Sequence, residues 1–208
     1  MDQAAALFSV AGHALLLDFA AGTRTPVPFL PSAARLSLLV VDTGVSHQLA
    51  ASAYADRRAD CEQAAAELGL AHLAAASYEQ LGGLGDERVR RRARHVVTEQ
   101  YRVLSFVAAL QRDDWTEAGD LMTASHLSLR DDYEVSCPEL DLVVATSLAA
   151  GALGARMTGG GFGGSAVVLC HDEDLPGIQG RVVADFARNG LDAPTLYRVE
   201  ASSGAALG

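Results

Sequence analysis

Cysteine is scarce in this chain, and the three residues present lie far apart. They are Cys61, Cys137 and Cys170. Their number is odd, and they form neither a Cys-x-x-Cys pair nor a cluster with histidine, so the sequence suggests no disulfide framework and no metal site. Isolated thiols of this kind are typical of a reducing compartment. We therefore expect a cytoplasmic protein without a metal centre of its own.

Long apolar runs and an excess of basic residues are also absent. No stretch reaches the roughly 18 apolar residues of a membrane span, and no signal peptide opens the chain. Lys and Arg number 16 against 26 Asp and Glu, for a net charge of −10. This charge disfavours nucleic acid and anionic lipid, so we expect no nucleic-acid and no membrane partner. The interrupted run from Arg88 to Arg94 predicts a solvated helix face.

Glycine, by contrast, is concentrated in one segment. Residues 156–165 read Arg-Met-Thr-Gly-Gly-Gly-Phe-Gly-Gly-Ser. Glycine adopts positive φ freely, so this segment predicts a loop whose amides face a ligand, most often phosphate. Gly159-x-Gly161-x-x-Gly164 satisfies the dinucleotide fingerprint, which requires a strand before it and a helix after it. The flanking patterns predict the reverse order, and a helix-to-strand turn without a ligand stays open as the alternative.

Hydrophobic periodicity predicts more helices than strands. Strands are expected over 13–18, 25–29, 36–42, 165–170 and 194–200. Helices are expected over 48–68, 97–108, 115–129, 140–148 and 177–189, with Asp113 and Asp114 as candidate N-caps. Because strands frame a helical block instead of alternating with helices, the fold class is α+β. Residues 202–208 are predicted to form a disordered tail.

Several long motifs occur in the order found in one enzyme family. Residues 156–165 resemble the third signature of the GHMP small-molecule kinases. Three further segments resemble the galactokinases among them: 45–62 with its Val-Ser-His start, 92–99 (Arg-Ala-Arg-His-Val-Val-x-Glu), and 125–141 with Leu-Arg-Asp-Asp-Tyr inside it. The opening Met1-Asp2-Gln3 matches an internal Met-Asp-Gln of that family, so we expect the chain to be the C-terminal half of a galactokinase.

The resemblance implies the GHMP kinase fold and an activity. Residues 1–45 would be a remnant of the N-terminal domain, and 46–201 a ferredoxin-like C-terminal domain. The implied reaction is ATP-dependent phosphorylation of D-galactose at the C1 hydroxyl, with ATP and Mg²⁺ bound mostly by the absent N-terminal half. The isolated chain is therefore expected to be inactive. A non-catalytic sugar-sensing or regulatory module with a protein partner, and a related sugar kinase, are the alternatives.

The resemblance also assigns roles to individual residues. Asp2 corresponds to the catalytic aspartate that faces the sugar C1 hydroxyl, either as a base or as an orienting hydrogen-bond acceptor. Tyr54 corresponds to a tyrosine that contacts galactose. Packing is the alternative role for Tyr54, and His47 is interpreted as a structural hydrogen-bonding residue. The loop expected near the transferred phosphate comprises Gly159, Gly160, Gly161, Phe162, Gly163 and Gly164, with Phe162 as its packing anchor.

The charged residues near these motifs have simpler interpretations. Arg156 is expected either to neutralise phosphate or to form an ion pair with Asp132 or Asp141. Asp131, Asp132 and Glu134 form an acidic cluster, but neighbouring residues do not share a helix face. The family also takes its magnesium ligands from the other half. No metal ligand is therefore assigned in this chain.

Overall fold

Six α-helices and two sheets form the main elements of the described part of the chain, residues 2–46 and 50–205 of a computed structural model. Only the backbone is described for Asp2, Ser46, Ala50 and Ala51, and His47 lies outside the described residues. In chain order the elements are α1 (Asp2–Phe8), β1 (His13–Asp18), β2 (Thr23–Pro28), β3 (Leu36–Ser46), α2 (Ala50–Glu67), α3 (Glu87–Gln111), α4 (Trp115–Ser128), α5 (Pro138–Ala149), β4 (Gly154–Thr158), β5 (Gly163–His171), α6 (Leu175–Arg188) and β6 (Thr195–Val199).

The larger sheet has four antiparallel strands in the order β4-β5-β3-β6. β3 pairs with β5 from Leu36↔His171 to Asp42↔Ser165 and with β6 on its other edge. The boundary predicted at residue 45 falls near the end of β3, so this sheet takes one strand from before that position and three from after it.

One face of this sheet is buried under α5 and α6. Alternate residues of a strand point to the same face, which places Leu39 and Val41 against these helices with no exposed surface. Ile178 and Phe186 of α6 meet them in the same core. An antiparallel sheet with helices packed on its face confirms the α+β class.

The opposite face packs against α4 so closely that two backbones touch. A Cβ on Gly119 of α4 would overlap the carbonyl of Leu153, and a Cβ on Gly154 of β4 would overlap the backbone of Gly119. Met122, one helical turn further along α4, packs against Leu169 of β5. Glycine at both positions therefore sets the distance between α4 and the sheet.

Carboxylate caps fix where the long helices begin. Asp86 accepts hydrogen bonds from the amides of Arg88 (2.8 Å) and Val89 (3.3 Å) at the start of α3. Asp114 accepts from the amide of Glu117 at 3.0 Å and caps α4, which confirms one of the two predicted candidates. No helix within residues 2–46 and 50–205 is long and apolar enough to cross a membrane.

The N-terminal region forms a separate layer with exposed apolar side chains. β1 and β2 pair only with each other in the described sheets, and Phe19 at their turn is 77% exposed. The segment predicted as a disordered tail meets this layer: the amide of Gly204 donates to the carbonyl of Ser9 at 2.8 Å, and that of Ala205 to Ala6 at 2.7 Å. The described part of the segment is thus bonded to the end of α1.

The glycine-rich segment lies between two strands, which differs from the predicted helix-to-strand order. β4 precedes it and β5 follows it, in antiparallel pairing from Gly154↔Leu169 to Thr158↔Ser165. β4 was missed because it is short and lacks β-branched residues before Thr158. From Ala155 to Met157, buried side chains alternate with half-buried Arg156 in the period of two that marks a strand.

Candidate phosphate loop and its supports

The glycine loop is the turn of the β4–β5 hairpin. Five of its six residues have positive φ, namely Gly159 (83°), Gly161 (85°), Phe162 (61°), Gly163 (119°) and Gly164 (84°). The backbone at Gly159 and Gly160 is exposed and has open space where a Cβ would stand. Consecutive amides in such a conformation form a concave surface that suits an anion.

The loop is anchored on Val135. The amide of Phe162 donates to the Val135 carbonyl at 2.7 Å, and a Cβ on Gly161 would overlap that same carbonyl oxygen. The ring of Phe162 packs against the core under α5 and α6. At the other end of the loop, the Thr43 hydroxyl donates to the carbonyl of Gly164 at 2.7 Å. The middle and the end of the loop are therefore fixed to the protein body.

Val135 in turn follows a π-helical turn that arginine side chains hold. The turn Leu129–Tyr133 ends α4, and Glu134 after it adopts the left-handed region with φ 53°. Arg57 of α2 donates from Nε to the carbonyl of Tyr133 at 2.6 Å and from Nη2 to that of Glu134 at 3.1 Å. Arg92 of α3 donates to the carbonyl of Asp132.

Each carboxylate of the acidic cluster forms an ion pair with at least one arginine. Arg94 pairs with Asp132, Arg130 pairs with Asp131 at 2.7 Å, and Glu134 receives Arg92 at 2.6 Å and Arg91 at 2.7 Å. Hydrogen bonding from Arg92 lowers the pKa of Glu134, and the neighbouring arginine charges act in the same direction. Among the described residues no group of three His, Cys, Asp or Glu side chains is placed to hold a metal ion.

The prediction of a solvated face for the run Arg88 to Arg94 is wrong for Arg92. Its side chain is 2% exposed and lies 3.7 Å from Asp60 as well as 2.6 Å from Glu134. A buried arginine needs carboxylates around it, because an unpaired buried charge is strongly destabilising. Arg92 is therefore a structural member of the helix, facing inward between α2 and the turn.

Arg156 pairs with a carboxylate that the sequence did not indicate. Its Nη1 lies 3.3 Å from Oε1 of Glu99, where Asp132 or Asp141 was expected. Burial lowers the pKa of Arg156, and the Glu99 charge opposes this. Burial alone would raise the pKa of Glu99, but hydrogen bonds from Ser125 and Arg102 and the Arg156 charge outweigh it and lower that pKa.

This charged group forms the polar end of a cavity of about 340 Å³. The cavity lies between the β1–β2 hairpin, α3 and α4. Its other walls are mostly apolar and include Leu16 from β1, Phe106 from α3 and Leu121 from α4.

Buried His126 of α4 is hydrogen-bonded to β4 and lies beside α5. Its Nδ1 accepts from the amide of Met157 at 3.3 Å, and its Nε2 lies 3.2 Å from Oδ1 of Asp141. An accepting Nδ1 assigns the proton to Nε2, which faces the carboxylate. Burial lowers the pKa of His126, while Asp141 acts in the opposite direction. The neutral ring thus holds the strand that leads into the glycine loop.

Residues 106–188 match the family model described as GHMP kinases C terminal. The galactokinase of Streptomyces coelicolor is 48% identical over 210 residues, which cover 99% of this chain and 54% of that protein. Residues 106–188 of this chain are therefore a GHMP kinase C-terminal domain. The Mycobacterium tuberculosis galactokinase is 46% identical over 214 residues, and the bovine one 43% identical over 209. The chain spans about half the length of the curated relatives it matches.

Solved structures share this fold. The chain matches Lactococcus lactis galactokinase, crystallised with galactose, with a TM-score of 0.88 and 30% identity over 95% of this chain and 53% of that one. Mevalonate kinase of L. major matches with a TM-score of 0.57 at 24% identity and shows the shared fold alone. The predicted GHMP kinase fold is confirmed.

The predicted site residues lie on three different elements of this chain. The glycine loop joins β4 to β5, and Tyr54 lies on α2 with 56% of its surface exposed. Asp2 is the first residue of α1, and its side chain is outside the described part. The structure links the first two through Arg57, which lies on the helix of Tyr54 and holds the turn that supports the loop.

Two supports of the loop had no role in the sequence analysis. Arg57 was noted only as part of a motif, and Val135 as a position in the 125–141 match. A signal for Arg57 exists, since it follows Tyr54 by three positions and therefore lies about one turn along the same face of α2. The role of Val135 has no sequence signal, because it depends on a backbone carbonyl that any residue carries.

Proposed function

We propose that the protein containing this chain is a galactokinase that transfers the γ-phosphoryl group of ATP to the C1 hydroxyl of D-galactose in the cytoplasm. The observation that carries the proposal is the similarity to galactokinases along 99% of the chain at 48% identity. The positive-φ glycine loop adds support, because its exposed amides suit a phosphate group. Galactose is inferred as the sugar because the similar proteins are galactokinases.

In this reaction the protein acts mainly by aligning the sugar hydroxyl with the γ-phosphate, and less by activating a bond. Phosphoryl transfer passes through a loose transition state, so positioning and charge stabilisation dominate. In the proposed reaction the C1 oxygen forms a bond to the γ-phosphorus, the bond to the bridging oxygen of ADP breaks, and the hydroxyl proton passes to the Asp2 carboxylate. Tyr54 would orient the sugar, and the amides of Gly159 and Gly160 would face the phosphate.

Magnesium does not fit the acidic cluster of this chain. Asp131, Asp132 and Glu134 are each paired with arginine, and hard cations need several free oxygen ligands. No step is therefore assigned to a metal held by these residues. Any Mg²⁺ bound with ATP would take its protein ligands from outside them.

The test uses the protein that contains this chain at its natural full length. Galactose-dependent ADP formation is expected, and Asp2→Asn should abolish it while galactose binding, measured by calorimetry, persists. Sugar binding without turnover in the wild-type protein would favour a sugar-sensing module, and turnover of another sugar in preference to galactose would indicate a related kinase. Retained turnover in Asp2→Asn would remove Asp2 from the proposal.

Tyr54→Phe tests the sugar contact separately. Loss of one hydroxyl hydrogen bond costs about 1 kcal/mol, which is roughly a fivefold rise in KM for galactose with kcat little changed. Tyr78→Phe is the matched control, because Tyr78 is 55% exposed and lies on another element. An unchanged KM together with a lowered unfolding midpoint would show that Tyr54 is a packing residue.

A further inference from the structure

We propose that Arg57 is a positioning residue that ties helix α2, which carries Tyr54, to the glycine loop. The inference rests on the proposed function for the meaning of its two ends, the sugar side and the phosphate side. The connection itself is a physical one. It runs from the Arg57 guanidinium through the backbone of Tyr133 to Val135 and into the loop.

The first link is the forked hydrogen bond of Arg57. Its side chain is 15% exposed, and two of its nitrogens donate to the consecutive carbonyls of Tyr133 and Glu134 at 2.6 and 3.1 Å. A planar guanidinium that holds two acceptors at once fixes their orientation as well as their distance. Lysine, with a single ammonium group on a flexible stem, cannot reproduce this geometry.

The second link is Glu134 itself, the strained residue that directly precedes Val135. Glu134 has φ 53°, a left-handed conformation that costs a non-glycine residue free energy and persists only where the surroundings hold it. The carbonyls that Arg57 holds are those on either side of the Glu134 amide–Cα segment. Arg57 therefore stabilises the reversal that directs the next residue, Val135, toward the loop.

The third link leaves the loop little freedom relative to Val135. Its carbonyl accepts from the amide of Phe162 at 2.7 Å, and Gly161 lies so close that even a methyl group would overlap the same oxygen. A movement of Val135 must therefore move Gly161 and Phe162. The exposed amides of Gly159 and Gly160 belong to the same turn and would move with them.

Removal of Arg57 should loosen this path without unfolding the turn. Arg92 holds the preceding carbonyl, that of Asp132, from α3, and the amide of Val135 donates to Leu129 at 3.0 Å. These bonds do not involve α2. The expected effect is therefore local, at Glu134, Val135 and the loop.

The test is amide hydrogen exchange of the natural full-length protein that contains this chain, followed for Phe162 by NMR. Arg57→Ala should speed exchange of the Phe162 amide by at least about tenfold, as expected when a charged donor stops holding a neighbouring carbonyl. Arg58→Ala is the matched control, since Arg58 is the next residue, is 75% exposed and pairs with Glu62 on its own helix. Amides of α5 should exchange equally in all variants. Unchanged exchange at Phe162 would overturn the proposal.

Two further measurements separate positioning from general stability. Arg57→Lys should give an intermediate rate, which decides the matter if Arg57→Ala does not fold. Methylguanidinium at millimolar concentration, far below the molar range in which guanidinium salts unfold proteins, should restore slow exchange in Arg57→Ala. Rescue supports positioning, and faster exchange in all regions of both variants without rescue would overturn it in favour of a purely stabilising role.

The kinetics of the full-length protein distinguish this proposal from the proposed function. Arg57→Lys is expected to lower kcat with a smaller change in KM for galactose, opposite to Tyr54→Phe. If the wild-type protein does not phosphorylate galactose but Phe162 responds to Arg57, the physical connection stands and the function fails. If it is an active kinase and Phe162 does not respond, the function stands and the connection fails.

Discussion

Three alanine substitutions in the glycine loop would separate the cost of backbone conformation from the cost of close packing. Gly160 has neither a positive φ nor a close neighbour, Gly159 has φ 83° in open space, and Gly161 has φ 85° together with the overlap on Val135. The three residues are consecutive and chemically identical. Differences among their alanine variants therefore report the local geometry alone.

The expected costs follow from these differences. Gly160→Ala should change the free energy of unfolding by no more than about 0.5 kcal/mol, or slightly raise it through reduced freedom of the unfolded chain. Gly159→Ala should lower it by about 1–2 kcal/mol, the cost of a left-handed conformation for an L-residue. Gly161→Ala carries the same cost and must also displace the Val135 carbonyl, so a loss of about 3 kcal/mol or more is expected.

Urea denaturation followed by circular dichroism measures all three values. The slope of free energy against urea should be the same in each variant, since the surface exposed on unfolding is unchanged. The order of losses is the test. Equal losses in Gly159→Ala and Gly161→Ala would refute the close contact between Gly161 and Val135, and a full loss in Gly160→Ala would refute the geometry of the whole turn.

Two further predictions concern buried charge and pH. Arg92→Met should lower the free energy of unfolding by about 1.5–3 kcal/mol, because Asp60 and Glu134 lose a buried partner, although each keeps another arginine. Exposed Arg58→Ala should change it by less than about 1 kcal/mol. Equal effects of the two substitutions in urea denaturation would contradict the buried network. Burial lowers the pKa of His95 to about 4 from 6.5. Between these two pH values the histidine is protonated in the unfolded state but not in the folded state. The free energy of unfolding should therefore fall as the pH drops from 6.5 to 4, by up to about 3 kcal/mol. His95→Gln should reduce the difference between the free energies of unfolding measured at pH 7 and pH 5. An unchanged difference would show that His95 is not kept neutral by the fold.

The elements that sequence reasoning located are those with repeated apolar periodicity. β1 was predicted over 13–18 and is observed there, and α6 was predicted within two residues at its start. These segments are long enough for the spacing of their apolar residues to be recognised as a strand or helix period. β4, with only Gly154 to Thr158, is too short for that, and its strand character depends on pairing with β5.

The candidate site was predictable only where a side chain has a recognisable role. The glycine loop was visible because glycines clustered so densely are unfavourable inside a helix or a strand. The partner of Arg156 was not, because Glu99 lies 57 positions away and meets it only when α3 packs beside β4. The inward orientation of Arg92 was hidden for a similar reason, since its partners lie on α2 and on the turn after α4.

The position of β3 in the sheet has a consequence for how the chain folds. β3 is synthesised before both strands that flank it, which come after residue 162, and its side-chain bond from Ser37 to Asp172 spans 135 positions. Contacts of such long range form slowly, because the intervening chain must be closed into a loop first. During synthesis on the ribosome, helices α2 to α4 can form before β5 and β6, the two strands that pair with β3, have been made. Its apolar residues Leu39 and Val41 are exposed during that interval, which is when this chain is most prone to aggregate.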